Sequence, residues 1–304
     1  MPELPEIESL RRALSRTILG ARVIDGGVLR RDMLHRCTRA PRDPLEPGST
    51  ITALHRKGKQ LVLETDGGPC VLFHLGMSGS IRVFEGVANP ENHVHARWRL
   101  RRANAELVLR LRDPRRFGWI ESHASMASVE RNAWSRIGPD GLTIDAETLS
   151  GALHGTRRPV KAALLDQSRI AGLGNIYVDE ALHRVHIHPA CPVSRLGSRH
   201  LRALADSIRD VLMEAVEAGG STIRDHRTAD GRWGSFQERH GVYGRAGLPC
   251  KSCGMILRSM QVSQRMTVFC PGCQPRSPRR AQKASDSRLA CRGPVGGGSC
   301  GNRS

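Results

Sequence analysis

Apolar residues recur every three or four positions in several parts of the chain, which is the spacing of an amphipathic helix. Near the N-terminus the stripe consists of Ile7, Leu10, Leu14 and Ile18. The pattern predicts four helices, which cover residues 5–18, 160–170, 177–185 and about 199–218. A glycine turn, AGLGN, separates the second from the third, and a Gly-Gly pair follows the fourth.

Between about residue 50 and residue 122 the pattern changes to short alternating runs. Five runs are predicted to be strands: KQLVLE (59–64), CVLFHL (70–75), SIRVF (80–84), HARWRLR (95–101) and ELVLRLR (106–112). Turns rich in Gly, Asn and Pro separate several of them. Such strands favour an antiparallel sandwich or barrel. With helices before and after this stretch, the predicted fold class is α+β and multidomain.

Four cysteines near the C-terminus form two pairs with metal-ligand spacing. PCKSCG contains Cys250 and Cys253, FCPGC contains Cys270 and Cys273, and sixteen residues separate the pairs. Four thiolates at this spacing suit a tetrahedral Zn²⁺ on the two turns of a hairpin. Because protein sulfur fills all four positions, we predict one structural zinc ion. Chance clustering of free thiols is the alternative.

The excess of basic over acidic residues indicates what kind of molecule the protein binds. The formal net charge is +18 and the sequence pI is about 10.7, which suits a polyanion and most simply nucleic acid. No apolar run is long enough for a membrane helix, and the acidic N-terminus does not resemble a signal peptide. A cytosolic protein is expected. Residues 275–304 carry seven Lys or Arg and no periodicity, which predicts a disordered basic tail.

Seven motifs occur in a fixed order along the chain. They are MPELPEIE (1–8), HLGMSG (74–79), DPRRFG (113–118), GLGNIYVDEALHRVHIHP (172–189), GGSTIRD (219–225), VYGRAGLPC (242–250) and the cysteine hairpin. Together they closely resemble the formamidopyrimidine-DNA glycosylases, which are bacterial base-excision enzymes, over residues 1 to about 274. The resemblance implies an N-terminal β-sandwich domain (1–134) flanked by helices, a helix-two-turn-helix domain (135–240) and a zinc hairpin (241–274), followed by the tail (275–304). DNA is expected in the cleft between them.

The resemblance implies a bifunctional DNA glycosylase and abasic-site lyase. Its expected substrates are 8-oxoguanine and formamidopyrimidines in duplex DNA. If Met1 is removed, Pro2 carries a secondary amine, and free α-amines titrate near pH 7.7–8, so part of the population is nucleophilic at neutral pH. Attack on C1′ of the sugar expels the base and forms a Schiff base, after which β,δ-elimination cleaves the strand. The alternative is that Pro2 only begins a helix.

Three further residues are expected to be catalytic from the resemblance. Glu3 is the expected general acid at the sugar ring oxygen. Lys59, in RKGKQL, corresponds to a lysine that handles a proton or phosphate at the lesion. Arg265, in QRMTVF, corresponds to an arginine of the second elimination step, although phosphate clamping suits a guanidinium better because it is a poor acid.

Chemistry on a stacked base requires that the base be flipped out of the duplex. Met77, Arg115 and Phe117 correspond to the residues that fill the resulting hole, and ordinary core positions are the alternative for Met77 and Phe117. The other expected DNA-binding residues are Glu6, His93, Arg157, Lys161 and Asn175. Within that group, hydrogen bonding that supports the site and simple helix capping are equal alternatives for Glu6, and Asn175 begins a helix whose N–H groups suit a phosphate. The loop at 220–230 is expected to cap an everted purine.

Two other readings remain open. An endonuclease VIII-like enzyme prefers oxidised pyrimidines, but it usually begins PEGPE where this chain has PELPE. A noncatalytic zinc-finger protein that binds DNA structure would need no N-terminal amine. The expected partner is double-stranded DNA with oxidised bases or abasic sites, bound by a monomer in the bacterial cytoplasm at the nucleoid.

Overall fold

The structure is a computed structural model that describes residues 2–35, 45–67, 70–86, 89–221 and 234–276. Its helices are α1 (Leu4–Ile18), α2 (Met126–Asn132), α3 (Ala146–Leu153), α4 (Val160–Leu164), α5 (Asn175–Arg184) and α6 (Ser198–Glu217). Its strands are β1 (Arg22–Val28), β2 (Ile51–Lys57), β3 (Gln60–Thr65), β4 (Cys70–His74), β5 (Ser80–Glu85), β6 (Val94–Arg102), β7 (Ala105–Arg112), β8 (Trp119–His123), β9 (Arg258–Val262) and β10 (Arg265–Phe269). Short 3₁₀ turns cover Arg31–Met33, Trp134–Arg136, Val193–Arg195 and Phe236–Arg239.

Eight strands form two four-stranded antiparallel sheets, which confirms the predicted sandwich. One sheet has the order β1-β6-β7-β5 and the other has the order β2-β3-β4-β8. Strand β6 shows why the sheets pack: Ala96, Trp98 and Leu100 are buried, while the arginines between them are exposed. Since side chains alternate between the two faces of a strand, this period-two pattern gives each sheet one apolar face. The two apolar faces enclose the first core.

Helix α1 belongs to two cores at once. Ile7, Leu10, Leu14 and Ile18 pack in the core of the sandwich. Leu4, at the first turn, packs instead in the second core, which is formed mainly by α3, α4, α5 and α6. The N-terminus of α1 therefore lies at the junction of the sandwich and the helices.

The remaining described chain forms a small ribbon. Strands β9 and β10 pair antiparallel around a turn at Ser263 and Gln264, which both have positive φ. Buried Val242, Leu257 and Val268 pack with the cysteines to form a core of their own. Most of the predicted tail and most of the predicted capping loop, residues 277–304 and 222–233, lie outside the described residues.

Several predicted boundaries were wrong. The helix predicted over 160–170 ends at Leu164, because the Asp166 carboxylate accepts hydrogen bonds from the backbone N–H and hydroxyl of Ser168 and holds a turn there. Strand β1 was not predicted. It has two glycines in RVIDGGV, and a Cβ at Gly26 would lie 2.2 Å from the carbonyl oxygen of Arg97 on the neighbouring strand.

Strands β2 and β8 were also not identified individually, although both fall at the ends of the predicted β region. The helices predicted at 5–18, 177–185 and 199–218 are confirmed to within about two residues at each end. Within the described residues, no helix combines the length and the apolar character needed to span a bilayer.

Candidate active site

Glu3 lies at the junction of α1 and α5 and is almost fully buried. Its backbone N–H donates to Glu6 Oε2 (2.8 Å), which closes the first turn of α1. Its side-chain Oε1 accepts from the backbone N–H of Ile176 (3.1 Å) at the start of α5. Gly174 makes room for this contact, since a Cβ there would lie 2.1 Å from the Glu3 carboxyl carbon. Pro2, directly before Glu3, is also buried.

The surroundings of Glu3 favour its protonated form. The pKa of Glu3 is raised from 4.5 to about 7, chiefly by burial; the charge of Glu6 adds to this shift, while Lys59 and the Ile176 N–H oppose it. Glu3 Oε2 is buried and has no hydrogen-bond partner among the described residues. A neutral carboxyl with one unused oxygen is suited to donate a proton at neutral pH.

Lys59 follows a turn that is held by the segments that precede α3 and α5. The backbone N–H of Gly58 donates to Asp140 Oδ2 (2.7 Å), and Arg56 forms an ion pair with the same carboxylate (2.7 Å). Gly58 has φ of +55°, and a Cβ there would lie 2.8 Å from the Cβ of Ala171. Burial lowers the pKa of Lys59, while the carboxylates of Glu3 and Glu6 oppose that shift.

Glu6 joins three elements from inside the protein. Its Oε1 accepts from the Tyr177 hydroxyl (2.5 Å) on α5 and from the backbone N–H of Ser221 (2.7 Å), while Oε2 accepts from Glu3. Both carboxylate oxygens are therefore used, and the side chain is almost fully buried. The bond from the Glu3 N–H is a helix-capping contact and the other two bonds support the site, so the structure contains both kinds of contact expected for Glu6. The carboxylate is not exposed at the protein surface.

Met77, Arg115 and Phe117 lie together on two loops of the sandwich. The β4–β5 loop carries Met77 and the β7–β8 loop carries the other two. Met77 and Phe117 are 42% and 51% exposed, so neither is a core residue. The Arg115 guanidinium lies over the Phe117 ring, 4.8 Å from its centroid.

A buried carboxylate, Asp113, holds both of these loops. Its Oδ1 accepts from the Ser78 hydroxyl (2.5 Å) and from the backbone N–H of Arg115 (3.3 Å), and its Oδ2 accepts from the backbone N–H of Gly118 (2.8 Å). The loops also touch at Gly76, where a Cβ would lie 2.4 Å from the Phe117 carbonyl carbon. The exposed side chains are thus presented on a rigid support.

His93 and Arg157 are exposed, as DNA contacts need to be. The His93 carbonyl accepts from the backbone N–H of Asp113 (3.0 Å), which places His93 beside the β7–β8 loop. Arg157 lies on the loop before α4, and none of the described residues forms a hydrogen bond or ion pair with its side chain. Arg265 is exposed at the start of β10, close enough to Lys59 for its charge to lower the pKa of that lysine.

Lys161 and Asn175 are bonded within the protein. Lys161 is 0% exposed, and its ammonium pairs with Asp179 (2.6 Å) and donates to the Met266 carbonyl (3.3 Å). The Asn175 amide donates to the same carbonyl (2.8 Å). For Lys161 to contact DNA, its side chain would have to leave a buried ion pair. The α5 N-terminus, where a phosphate was expected, instead gives its Ile176 N–H to Glu3.

The four paired cysteines are brought together as predicted. Their Sγ atoms all lie within 4.8 Å of one another, with Cys250 to Cys273 at 3.9 Å and Cys253 to Cys270 at 3.4 Å. Zn–S bonds of about 2.3 Å place tetrahedral sulfur atoms about 3.8 Å apart, so the set fits one zinc ion. Among the described residues no other group of cysteines, histidines and carboxylates has a comparable geometry. Cys70 and Cys191, which lie outside the two pairs, are buried.

Sequence reasoning missed the carboxylates that hold the site in place, namely Asp113, Asp140, Asp179 and Glu180. The Glu180 carboxylate accepts three backbone N–H groups, from Gly241, Val242 and Tyr243 (2.8–3.0 Å), and so fixes the segment that leads into the zinc hairpin. Asp113, Asp179 and Glu180 stand inside the motifs DPRRFG and GLGNIYVDEALHRVHIHP. The sequence signal that could have identified these residues was a carboxylate inside a glycine-containing motif next to an apolar helix.

Comparisons with known proteins cover most of the chain. Family models match in three places: the formamidopyrimidine-DNA glycosylase N-terminal domain at residues 1–120, the H2TH domain of the same enzymes at 137–227, and the zinc finger found in FPG and IleRS at 247–276. The formamidopyrimidine-DNA glycosylase of Xanthomonas oryzae pv. oryzae strain PXO99A is 40% identical over 276 residues, which are 90% of this chain and 100% of the relative.

Solved structures agree with these matches. Lactococcus lactis Fpg in complex with DNA containing an abasic site has a TM-score of 0.80 and 33% identity, covering 90% of this chain and 99% of that chain. MutM in complex with DNA containing carbocyclic 8-oxo-G has a TM-score of 0.79 and 32% identity, covering 90% and 100%. With matching domain models, a full-length relative and the same fold, the chain belongs to the formamidopyrimidine-DNA glycosylase family.

Proposed function

We propose that this protein excises oxidised purines, 8-oxoguanine and formamidopyrimidines, from duplex DNA and cleaves the strand at the resulting abasic site. The observation that supports this most directly is the Glu3 carboxyl, which is buried, has a pKa raised to about 7 and belongs to the residue that follows Pro2. A proton donor beside an N-terminal amine is the pair that glycosidic cleavage through a Schiff base requires. Binding alone would require neither group.

In the proposed reaction Pro2 acts at C1′ of the sugar and Glu3 acts at the ring oxygen beside it. After removal of Met1, the Pro2 nitrogen attacks C1′ and the C1′–N bond to the base breaks. The electron pair of that bond leaves with the base, which takes up the proton that the Pro2 nitrogen loses. Glu3 gives its proton to the ring oxygen as the sugar opens, which leaves an iminium between Pro2 and C1′. The iminium acidifies the C2′ proton, so β-elimination breaks the C3′–O bond, and δ-elimination then breaks the C5′–O bond.

We assign Lys59 and Arg265 to the phosphates and protons of these steps. The lowered pKa of Lys59, caused by burial, makes its ammonium a better proton donor than an exposed lysine. Arg265 is exposed near Lys59, where a guanidinium suits a phosphate. One structural zinc ion on the four cysteines holds the hairpin that carries Arg265.

The DNA-facing surface consists of the loops that carry Met77, Arg115 and Phe117, with His93 and Arg157 as further contacts. We propose that the three loop side chains fill the space of the flipped base, because they are exposed together on a rigid support. Glu6 and Lys161 are assigned to positioning, since both are buried and hydrogen-bonded within the protein.

The proposal also includes the domain boundaries, the oligomeric state and the cellular location. The chain divides into domains at residues 134/135, 240/241 and 274/275. The protein works as a monomer. It acts at the nucleoid of a bacterial cytoplasm, where its DNA substrate is found.

Borohydride trapping tests the proposed function. The purified protein is mixed with an 8-oxoguanine·cytosine duplex under borohydride, and the modified residue is located by mass spectrometry. We expect a covalent adduct at Pro2, which requires removal of Met1, base excision and imine formation together. The matched variant Pro2→Gly is expected to bind the duplex but to lose most turnover.

Two results would contradict the proposal. Normal cleavage by Pro2→Gly would remove Pro2 as the nucleophile. An adduct that forms only on a duplex with an oxidised pyrimidine would indicate an endonuclease VIII-like specificity. If protein shown to lack Met1 forms no adduct on either duplex, the protein would be a DNA-binding protein without this catalytic activity.

A further inference from the structure

The zinc hairpin meets the helical core along one edge of β10. In a two-stranded ribbon each strand has one edge paired with its partner and one edge whose backbone groups need other partners. On the second edge of β10, the Met266 carbonyl and the Val268 N–H are bonded to side chains rather than to another strand. Both groups lie within three residues of Arg265, so this edge sets the position of that arginine.

The partners of this edge come from one face of α5. Asn175 donates to the Met266 carbonyl (2.8 Å), and Asp179 Oδ2 accepts from the Val268 N–H (3.2 Å). One turn further on, His183 Nε2 lies 3.5 Å from Cys250 Sγ. The three residues are spaced i, i+4 and i+8, so they form a single line along the helix.

The spacing of the bonding side chains along α5 matches the spacing of their backbone partners along β10. Four residues of an α-helix rise about 6 Å, and two residues of a strand rise about 6.8 Å. Side chains at i and i+4 of α5 therefore reach backbone groups two residues apart on β10 without a change of register. A shift of the hairpin by one residue would break both hydrogen bonds.

Asp179 is the central member of this line. Its Oδ1 pairs with the Lys161 ammonium (2.6 Å), and the same ammonium donates to the Met266 carbonyl (3.3 Å). Asp179 and Lys161 are 1% and 0% exposed, so water does not compete for these bonds. The carboxylate thus binds the hairpin twice, directly through Val268 and through Lys161.

Helix α5 also holds Glu3. The Ile176 N–H, in the first turn of α5, donates to Glu3 Oε1, and Asn175 beside it donates to the hairpin. One helix therefore fixes the distance between the proton donor of base excision and the hairpin that carries Arg265.

We propose that Asp179, with Lys161 as its counter-ion, is a positioning residue that sets Arg265 for the second elimination step. This inference rests on the proposed function and takes the second elimination, expected from the family resemblance, as the step in which Arg265 acts. It adds to that function a role for the buried ion pair in determining how far strand cleavage proceeds. An enzyme in which the β10 edge is held less firmly should stop more often after β-elimination.

The test uses a variant that removes both charges. In Asp179→Leu/Lys161→Met, apolar groups of similar size replace a buried ion pair, an exchange that proteins often tolerate. The variant and the full-length wild-type protein are given a duplex with a preformed abasic site under single-turnover conditions. We expect the rate of δ-elimination to fall about 100-fold, with a smaller effect on β-elimination, seen as accumulation of the unsaturated aldehyde over the 3′-phosphate product.

Three further variants sharpen the result. Asp179→Asn/Lys161→Met keeps an acceptor for the Val268 N–H and should recover part of the δ-elimination. Glu214→Gln removes a partly exposed carboxylate that pairs with Arg184 of α5 (2.7 Å), away from the hairpin, and should leave the product ratio unchanged. Arg265→Ala should give the same ratio as the double variant, with no further effect when all changes are combined.

Zinc content and thermal unfolding are measured on every variant. A wild-type product ratio in Asp179→Leu/Lys161→Met would overturn the proposal. Equal losses in both eliminations, or loss of zinc, would overturn it too, because the pair would then only hold the fold together. If the wild-type protein itself cleaves no abasic site, the proposed function has failed rather than the role of Asp179.

Discussion

The carboxyl centre at Glu3 and the loops that carry Met77, Arg115 and Phe117 are organised in opposite ways. At Glu3 the functional group itself is buried, and its protonation follows from that burial. On the loops the functional side chains are exposed, and the buried group is their support, Asp113. Proton transfer requires a dry carboxyl, whereas filling a gap in a DNA duplex requires apolar and planar groups that reach out of the protein.

The comparison shows where stability and function conflict. A buried ionisable group costs folding free energy whenever it is charged, so the Glu3 centre is a strained part of the fold at high pH. Exposed side chains on a loop that is held by hydrogen bonds cost little folding free energy. Replacing Glu3 by a neutral residue should therefore change activity and stability in opposite directions, whereas substitutions of the exposed loop side chains should change activity alone.

Glu3→Gln should have the largest effect. Without a proton donor at the ring oxygen, the single-turnover rate of 8-oxoguanine excision should fall about 10²- to 10⁴-fold. Affinity for the lesion duplex, measured by fluorescence anisotropy, should remain. An excision rate near that of the wild-type protein would remove Glu3 as the general acid.

The same variant should be more stable than the wild-type protein, in a pH-dependent way. The pKa of Glu3 is about 7 in the folded protein and 4.5 in the reference state. The stability contributed by this group is therefore fully present below pH 4.5 and is lost as the pH rises through about 7. Glutamine stays neutral, so urea unfolding near pH 8 should show a gain on the order of 1–3 kcal/mol that disappears near pH 4. A gain independent of pH would contradict the raised pKa.

Gly174→Ala should break the same centre without touching a functional group. The added Cβ would lie 2.1 Å from the Glu3 carboxyl carbon, so the carboxyl has to move away from Ile176. A displacement of about 1 Å should lower the excision rate about 100-fold. Gly151→Ala is the matched control, because it lies in α3 with open space around it. It should keep full activity and gain about 0.5–1 kcal/mol of stability from helix propensity.

Phe117→Ala should have the smallest effect and should separate the two regions. The loss of stacking should lower excision from a duplex about tenfold, while the free energy of unfolding stays within about 0.5 kcal/mol because the side chain is half exposed. Phe84→Ala is the control, since Phe84 also lies beneath an arginine (5.1 Å to Arg110) but on the outer face of the sandwich. A stability loss in Phe117→Ala as large as that of a core residue would mean that the two regions do not differ as described.

Much of this molecule could be read from local patterns. The stripe of α1, the alternation of β6 and the two cysteine pairs are short-range signals, and the structure confirms the helix, the sandwich and the thiol cluster. Strand β1 was missed because its glycines hide the alternation, and their reason is the approach of Arg97 from a strand some 70 residues away. The end of α4 depended on a side chain, Asp166, that competes with the helix.

By itself, the sequence determined which groups are available: an acid after Pro2, a lysine after Gly58, three loop side chains and four thiols. Only the tertiary structure decided what each group can do. It buried Glu3 and so raised its pKa, and it turned Lys161 inward to Asp179. The physical reason is that protonation and accessibility depend on the surrounding dielectric and on partners distant in sequence, which no local pattern records.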